Sequence, residues 1–595
     1  MGAKPRRGDA AREIPGDYGR SAVTLAGQYR KFFGASVAAT LLLQATLVTD
    51  TIIVGQLLGP VPMSGVRVAS PIVNILNVIA MLVGVGGATL ASIAMGKRDR
   101  KSADNAFSLS LTLGIALGLL FALVVAPSAE LVARLISSDE STVAYTTTFL
   151  RIVAAAAPAY ILASVMAVLL RADGCIKLSS VVLAAAGVAN VAFDLLFMGV
   201  LGMGVEGSAY ATDAGMVSAV VLSLLYFRWS KRTLRLCNPL GPALGARVVA
   251  VFKNGASGAL RMLFACIALL FLNFVVGSVV GVAGIAVLTV CGNIQLLVVA
   301  FFSAGGQAAM PMEGVLYGER DYSGLRLLMR YVFRVVGVCV AVLVIVVCLF
   351  PAQITVLFIP GGVEGIDVML RLYALGFIPL AANYIMNYYY NTVQRRSIAL
   401  ALTLAENLVF YLPLIWVLTN AFGLVGAVGA FTGAEVLATV LMVVMASYAR
   451  RKGGFDSLLL LPELPRELVY EATVPATGDD AAYVARHVKA TLDENGAAGV
   501  SARAALGVEE MIANASILDA NRGRAVSFDV RVSTLPDCVQ VVLRDNGAPF
   551  DPTRYEPAER AEFAIDGIET LKAVASNVAY RYVIGMNQTI IEVKP

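Results

Sequence analysis

The sequence has 595 residues, of which 58% are hydrophobic and 15% are charged, and its mean hydropathy is +0.76. Soluble globular chains have about half apolar and about a quarter charged residues, so this composition excludes that class and indicates a polytopic membrane protein. The net charge of +5 comes from Lys and Arg in short loops between apolar segments. That placement argues against nucleic acid as a partner.

A polar, basic segment at 1–31 comes first, and it lacks the pattern of a signal peptide. Apolar segments of about 20 residues, each long enough to cross a bilayer, then predict an all-α membrane region of twelve transmembrane helices. The predicted spans are 34–57, 70–95, 105–127, 147–170, 178–200, 206–227, 259–282, 286–310, 332–358, 368–391, 398–420 and 423–447. Basic residues are concentrated in alternate loops, which puts both termini in the cytoplasm and the protein in the cytoplasmic membrane.

Two motifs recur in the second half of the membrane region. Gly55-Gln-Leu-Leu-Gly59 returns as Gly277-Ser-Val-Val-Gly281, and Gly96-Lys-Arg-Asp99 returns as Gly318-Glu-Arg-Asp321, both at an offset of 222 residues. The shared offset predicts two parallel six-helix repeats, an architecture typical of secondary transporters. We therefore expect halves at 32–227 and 254–450, joined by a cytoplasmic loop at 228–253.

Polar residues inside the first-half spans are candidates for ion coupling, because ionisable groups in a membrane are costly and usually functional. They are Asp50, Asn190, Asp194 and Thr212. Asn190 and Asp194 are four residues apart and share a helix face. Such oxygen ligands suit a hard cation or a shared proton. The alternative for Asp194 is a helix-end residue hydrogen-bonded near the interface.

A second polar stripe lies on the tenth span. It consists of Asn383, Asn387 and Asn391, interleaved with tyrosines that include Tyr384 and Tyr388. The stripe could line a cavity for a flat or cationic solute, or it could join neighbouring helices. At the offset of 222, Asp50 corresponds to Leu272. We therefore expect ion coupling in the first half.

Three stretches carry a family resemblance over roughly 32–450. "TDTIIVGQLLGPVPMSGVRVASPI", "GKRDRKSADNAF" and "NVAFDLLFMGVLGMGVEGSAYAT" resemble the multidrug and toxic-compound extrusion (MATE) family. The resemblance implies an antiporter that expels small organic, often cationic, solutes by using inward sodium or proton flow. It also implies that the four first-half residues form the family's cation site. The second half lacks membrane carboxylates that some members carry at other positions, and the choice between Na+ and H+ stays open.

From about Arg450 the composition becomes that of a soluble protein. A Gly- and Pro-containing linker at 451–467 precedes a predicted α+β domain at 468–595. "ELVYEATVPA" predicts a strand, and "GDDAAYVARHVKATLDENG" and "SARAALGVEEMIANASILDAN" predict helices. "AVSFDVRVSTLPDCVQVVLRDNG" predicts two strands, "DGIETLKAVASNVAYRYV" begins as a helix, and "NQTIIEVKP" is a last strand.

Two motifs in this domain resemble the Bergerat-type ATP-binding fold of the GHKL group, and most closely its anti-sigma-factor serine kinase branch. They are Glu510 with Asn514, four apart on a helix, and the turn Asp545-Asn-Gly547. The resemblance implies that Asn514 holds Mg2+ on the phosphates of ATP and that Glu510 acts as the base. It also implies that Asp545 accepts a hydrogen bond from the adenine amino group, with Gly547 letting the backbone approach.

The phosphate lid expected of this group is short here. "AEFAIDGIETLK" keeps only Gly567, followed by a helix whose N-terminus could meet a phosphate. ATP binding is therefore better supported than turnover, and an α+β domain without a ligand is the alternative. The sequence has no "GxxxxGK[ST]" motif, which argues against an ATP-driven export motor.

Together these patterns predict a solute antiporter with a cytosolic ATP-binding domain that senses ATP or phosphorylates a Ser or Thr of a partner or of the chain itself. One rival is a solute receptor with the C-terminal domain as a kinase-like output. Another is a flippase for lipid-linked precursors, although such proteins usually have more basic charge in the central cavity.

Overall fold

The computed structural model describes residues 19–58, 60–136, 140–228, 232–241, 243–280, 282–358, 366–455, 457–463, 467–520, 526–555 and 566–595. The chain forms two compact units. The unit that we call the sheet unit consists of Met1–Arg30, Arg320–Leu328 and Glu463–Pro595, and the helical unit consists of Lys31–Glu319 and Met329–Pro462.

Long apolar helices account for nearly all of the helical unit. Two of them, α1 and α11, begin in residues of the sheet unit. The helices are α1 Val23–Leu58, α2 Pro60–Gly96, α3 Arg100–Val125, α4 Ala129–Ile136, α5 Glu140–Ala155, α6 Ala157–Ala172, α7 Ile176–Asp194, α8 Gly204–Ser223, α9 Leu244–Val279, α10 Val282–Gly318, α11 Tyr322–Leu349, α12 Pro351–Phe358, α13 Ile366–Leu375, α14 Phe377–Thr392, α15 Arg396–Leu404 and α16 Tyr411–Gly453.

Helical segments lie at the positions of all the predicted spans. Within the described residues, eight helices are long and apolar enough to cross a membrane, or nine if α5 and α6, bent by 57°, form one span. One of the eight, Arg396–Gly453, has 58 residues, far more than the roughly 20 that a single crossing needs. It is interrupted at Gly423, whose φ of 59° and ψ of −135° are not helical. Twelve spans therefore remain a prediction.

The duplicated loop motif has the same local structure in both copies. Arg98 and Arg320 are equivalent at the 222-residue offset, and both have a positive φ, 64° and 55°. Each following aspartate caps a helix: Asp99 Oδ1 accepts the Ser102 N–H at 3.0 Å, and Asp321 Oδ1 accepts the Gly324 N–H at 3.0 Å. The repeat predicted from the sequence is thus also a repeat of backbone geometry.

The last turns of α2 and α10 meet at equivalent glycines. A Cβ added at Gly96 would lie 2.8 Å from the Gly318 Cα, and a Cβ added at Gly318 would lie 2.8 Å from the Gly96 Cα. Ser92 and Gly314, also equivalent, meet one turn earlier. A residue that contacts its own repeat equivalent lies on the axis relating the two copies, so this contact marks the internal pseudo-two-fold axis.

Among the residues that the structure describes, each half contains one π-helix. Leu195–Val200 follows α7, and Ala405–Val409 follows α15. Single π-helical turns are rare in proteins, and those that occur are often found at functional sites. Asp194 directly precedes the first π-helix and Glu406 lies within the second, and both carboxylates are buried.

The predicted loop between the halves is shorter than 228–253. Its described residues 232–241 are not helical, and α9 begins at Leu244. The Asp173 carboxylate holds the start of this segment, because Oδ2 accepts the Tyr226 hydroxyl at 2.8 Å and the Thr233 N–H at 3.1 Å.

Part of the predicted linker is packed against α14 in the helical unit. Tyr389 and Tyr390 donate hydroxyl hydrogen bonds to the carbonyls of Leu459 and Leu458 at 2.9 and 2.8 Å. Leu460 is buried, and its carbonyl accepts a bond from Arg395 at 3.1 Å. The helical unit accordingly extends to Pro462.

The sheet unit contains a five-stranded antiparallel sheet in the order β1-β2-β3-β5-β4. The strands are β1 Leu468–Pro475, β2 Ser527–Thr534, β3 Val539–Asp545, β4 Asn577–Val583 and β5 Met586–Val593, and the helices are α17 Gly478–Glu494, α18 Ala498–Ala520 and α19 Asp566–Val574. The apolar faces of the helices and one face of the sheet form a buried core. The predicted α+β elements are confirmed, and β4 is an additional strand.

The β4–β5 hairpin closes through Ile584 and Gly585, whose φ values are 50° and 74°. Two consecutive residues with positive φ match the twist of paired strands in a two-residue hairpin. In the pairing of β5 with β3, Asn587 lies directly opposite Asp545.

Candidate functional site

The predicted cation-coupling residues of the first half lie on α1, α7 and α8. Asp194 is the last residue of α7 and is 0% exposed. Asn190 is half-buried one turn earlier, and α8 packs closely there, since a Cβ added at Gly215 would lie 3.1 Å from the Asn190 Cβ. Thr212 on α8 donates its hydroxyl to the Ser208 carbonyl at 3.1 Å. Asp50 is helical in α1, and its side chain lies outside the described residues.

Other carboxylates besides Asp194 and Glu406 lie on the described helices of the helical unit. Asp213 is half-buried on α8, and Glu313 on α10 and Glu435 on α16 are buried. The sequence analysis did not select them, although the criterion that selected Asp50, a charge within an apolar span, applies to Asp213 and Glu435. Glu313 lies three residues beyond the predicted span 286–310. The second half therefore does contain buried carboxylates.

The asparagine stripe of α14 is buried and hydrogen-bonded to neighbouring helices. Asn383 Nδ2 donates to Glu435 Oε2 of α16 at 2.8 Å, and Thr439 donates to Asn383 Oδ1 at 2.9 Å. Asn387 Nδ2 donates to the Ala399 carbonyl of α15 at 2.9 Å. Asn391 donates to the Asn254 carbonyl of α9. These bonds are the arrangement expected of an interhelical polar stripe.

The two tyrosines predicted beside the stripe, Tyr384 and Tyr388, are half-buried. The ring of Tyr388 lies against α10, where a Cβ added at Gly306 would be 2.9 Å from the Tyr388 Cγ. These two rings are therefore more accessible than the three asparagine side chains of the same stripe.

A buried arginine connects the two halves within the helical unit. Arg171, near the end of α6, donates to Ser179 at 3.0 Å and to Gln307 of α10. Its side chain is buried, although its place in the sequence suggested a loop cation. Arg171 therefore divides its donors between Ser179 of its own half and Gln307 of the other half.

The predicted nucleotide residues of the sheet unit are partly brought together. Asn514 of α18 is buried, and its Nδ2 donates to the Glu510 carbonyl one turn earlier at 2.6 Å. Gly567, in the first turn of α19, touches the side chains of both Glu510 and Asn514, leaving no room for a Cβ. Burial, and then the neighbouring Glu509, raise the pKa of Glu510. This is the direction expected for a carboxylate that works as a base.

Asp545 ends β3 and is buried. Its Oδ1 accepts the Gly547 N–H at 2.9 Å and the Asn587 Nδ2 at 2.7 Å. Asn587 in turn accepts the Tyr580 hydroxyl at 2.7 Å. Asn587 and Tyr580 are additional candidate residues, and the strand pairing that brings them to Asp545 is not readable from the sequence. The lid residues 561–565 lie outside the described residues.

Comparisons with known proteins agree with the helical fold. The MatE family model matches residues 35–196 and 259–417, more than half of the chain. The multidrug export protein MepA of Staphylococcus aureus (strain MRSA252) is 29% identical over 164 residues, which are 28% of this chain but only 36% of that protein. MepA of Staphylococcus haemolyticus (strain JCSC1435) is 22% identical over 406 residues, 67% of this chain and 88% of that protein.

Among solved structures, the chain is similar to an outward-facing multidrug resistance MATE family transporter of the MOP superfamily. The TM-score is 0.68 at 21% identity, over 73% of this chain and 97% of the other. The shared architecture agrees with the family model, which spans both repeats. The chain belongs to the MatE family.

Proposed function

We propose that this protein exports small organic, mainly cationic solutes across the cytoplasmic membrane by antiport against Na+ or H+. The C-terminal domain is a cytosolic, ATP-binding regulatory domain, and both chain termini are cytoplasmic. Membership of the MatE family and the multidrug export activity named for the two MepA relatives support the efflux reaction.

The observation that carries the coupling proposal is the complete burial of Asp194 at the junction of α7 and a π-helix. An ionisable group in a membrane span has a high energetic cost, and such groups usually serve a function, such as holding a proton or a cation. Asn190 one turn away and Thr212 on the adjoining helix add neutral oxygen atoms, which are ligands that a hard cation accepts. Asp50 is assigned to the same site by the family resemblance.

The second half is assigned to solute contact and helix packing. Glu435 already accepts a hydrogen bond from Asn383, so its carboxylate is part of an interhelical network. The rings of Tyr384 and Tyr388 are only half-buried, and aromatic faces attract organic cations.

For the sheet unit, we propose that Asp545 and Gly547 bind the adenine and that Asn514 binds Mg2+ on the phosphates. Mg2+ usually takes only one or two protein oxygens together with substrate phosphates, and the Asn514 amide beside Glu510 fits that role. The close approach of Gly567 brings the N-terminus of α19 to the same place, and backbone N–H groups there suit a phosphate. Glu510 is the base if the domain transfers a phosphoryl group to a protein.

The efflux test uses everted membrane vesicles, whose cytoplasmic face is outside, and measures uptake of a fluorescent organic cation from the medium when either Na+ or H+ is concentrated in the lumen. The intact protein should transport with one of them, Asp194→Asn should lose at least about tenfold of the rate, and Glu435→Gln should keep most of it. Equal transport by Asp194→Asn at equal expression would rule out the coupling role. Solute binding without any transport would favour the receptor instead.

The nucleotide test measures binding of a fluorescent ATP analogue to the purified full-length protein. We expect Asp545→Asn to abolish binding without changing the protein yield. An intact protein that fails to bind the analogue in the presence of Mg2+ would contradict the ATP-binding proposal and leave the efflux proposal unaffected.

A further inference from the structure

A buried ionic cluster lies inside the sheet unit, on the face of the sheet that points away from α17–α19. We call it the Asp321 cluster. Asp321, 0% exposed, precedes α11, and its carboxylate meets three guanidinium groups. The N···O distances are 2.7 Å to Arg20, 3.2 Å to Arg544 and 3.8 Å to Arg531.

The charges of this cluster balance only when Asp321 is included. Arg20 also pairs with Glu471 at 3.1 Å and with Asp529 at 3.7 Å. Three arginines thus face three carboxylates, and removing one would leave uncompensated charge in a buried place. Asp321 therefore supplies a charge that this sheet face requires, although it lies about 150 residues in sequence from Glu471, the nearest strand residue of the cluster.

The start of α1 completes the same face. The Ser21 N–H donates to Thr473 at 2.9 Å, and the Thr24 hydroxyl donates to Asp529 at 3.2 Å. Leu25 and Tyr29 are 0% exposed. The outer sheet face is thus covered by two segments, 19–30 and 320–328, that lead directly into helices α1 and α11.

The equivalent loop in the first half has none of these contacts among the described residues. Asp99 makes the same helix cap, but it is exposed and lines an open cleft of about 530 Å3 together with Lys97 and Lys101. Its turn therefore has the geometry of the Asp321 turn without the buried partners.

The two loops differ at two residues that contact the sheet face or the Asp321 cluster. Ser323 stands where the first half has Lys101, and it donates to Glu471 at 2.6 Å. Gly324 stands where the first half has Ser102. A Cβ there would lie 2.8 Å from both Asp321 carboxylate oxygens and 2.9 Å from Arg20 Nη2. A serine at this position would therefore push against the Asp321–Arg20 ion pair.

We propose that the outer sheet face is a docking surface specific for the second-half loop, and that the Asp321 cluster is the anchor through which the C-terminal domain sets the transport rate. The link to nucleotide rests on the proposed function. Arg544 of the anchor directly precedes Asp545 of the nucleotide site on β3, so a change at the end of that strand reaches both.

Docking is tested by disulfide trapping in the full chain with the seven native cysteines replaced and a protease site inserted between Pro462 and Leu468. The pair Ser323→Cys with Glu471→Cys should hold the two fragments together after cleavage. The matched pair Lys101→Cys with Glu471→Cys should let them separate on a non-reducing gel. Failure of the first pair to crosslink, or equal crosslinking by both, would overturn the docking proposal.

Control of transport is tested with Asp321→Asn and Gly324→Ser, against Asp99→Asn as the matched control. Gly324→Ser is useful because the same turn holds a serine in the first half, so the loop itself should still form. We expect both anchor variants to change the efflux rate at least threefold and to lose any response to ATP, while Asp99→Asn behaves as the intact protein. Intact rates and an intact ATP response in both anchor variants would overturn the proposal.

These outcomes separate the anchor from the ATP-binding proposal. If the intact protein binds no nucleotide, the regulatory role of ATP fails. The anchor is then judged on the crosslink and on the basal efflux rate alone.

Discussion

Arg544 and Asp545 are neighbours on β3, and their side chains leave the sheet on opposite faces. Arg544 pairs with Asp321 on the outer face at 3.2 Å, whereas Asp545 bonds Asn587 and the Gly547 N–H on the face that carries the helices. Alternation of side chains along a strand makes this division unavoidable. One strand end therefore serves both the ionic anchor and the candidate nucleotide site.

The first prediction concerns the stability of the sheet unit. Asp321→Asn should destabilise it by about 3 kcal/mol, because three buried guanidinium groups lose a charged partner. Hydrogen exchange of the β2 and β3 amides in the full-length protein should then be roughly a hundredfold faster, since about 1.4 kcal/mol corresponds to a factor of ten.

Asp99→Asn is the control for that measurement. Asp99 is exposed and caps α3, and Asn caps a helix about as well as Asp. We expect the β2 and β3 amides of Asp99→Asn to exchange as fast as those of the intact protein. A small effect of Asp321→Asn on the same amides would show that the cluster contributes little to the stability of the sheet unit.

A second prediction concerns pH. Burial alone would raise the pKa of Asp321, but Arg20, Arg531 and Arg544 hold it well below its ordinary value of 3.8. A carboxyl group with a lowered pKa in the folded state stabilises above its unfolded pKa, and that contribution disappears as the pH falls through the folded value. The stability difference between the intact protein and Asp321→Asn should therefore be constant from pH 7 to about pH 5 and shrink below about pH 4. A difference that grows in acid would contradict this assignment.

Gly567 provides a test of the nucleotide site. Gly567→Ala places a methyl group against the ends of the Glu510 and Asn514 side chains, so these two side chains or the first turn of α19 must move. Affinity for a fluorescent ATP analogue should fall at least about tenfold. Gly499→Ala adds the same group in α18 of the same domain where nothing lies within 4 Å, and it should leave affinity unchanged. Unchanged affinity in Gly567→Ala would remove this glycine from the site.

The glycines on the pseudo-two-fold axis predict a symmetrical pair of variants. Gly96→Ala and Gly318→Ala should slow efflux to a similar extent, because either methyl group forces α2 and α10 apart, at a cost of about 1–3 kcal/mol of overpacking. Gly337→Ala on α11, with nothing within 4 Å, is the control in the same vesicle assay. A large difference between the two variants would argue that the contact is not equivalent in the two halves.

The sequence was sufficient to predict the repeat, the helical character of the membrane region and every α+β element of the C-terminal domain except β4. Glycine spacing, apolar length and strand alternation are local properties, and they survive folding. The 222-residue offset identified Gly96 and Gly318 as equivalent, and only the structure shows that these two glycines lie against one another.

What the sequence did not provide depends on contacts between distant segments. The partners of Asp321 come from residues 20, 531 and 544, and no local pattern joins them. Asn587 reaches Asp545 only through the β3–β5 register. Glu435 is a different case. It is a charged residue within an apolar span, as Asp50 is, so the sequence alone was enough to identify it as a candidate.

Arg20 and Glu471 are hydrogen-bonded to each other although they are 451 residues apart in the sequence. This separation has a consequence for biosynthesis. At about 5–20 residues per second, the ribosome needs tens of seconds to reach the second partner after making the first. During that interval Leu25 and Tyr29, fully covered in the finished protein, have no sheet to pack against. A chain that stops before the C-terminal domain keeps them uncovered permanently, so truncated versions should be prone to aggregation or to capture by chaperones for reasons unrelated to transport.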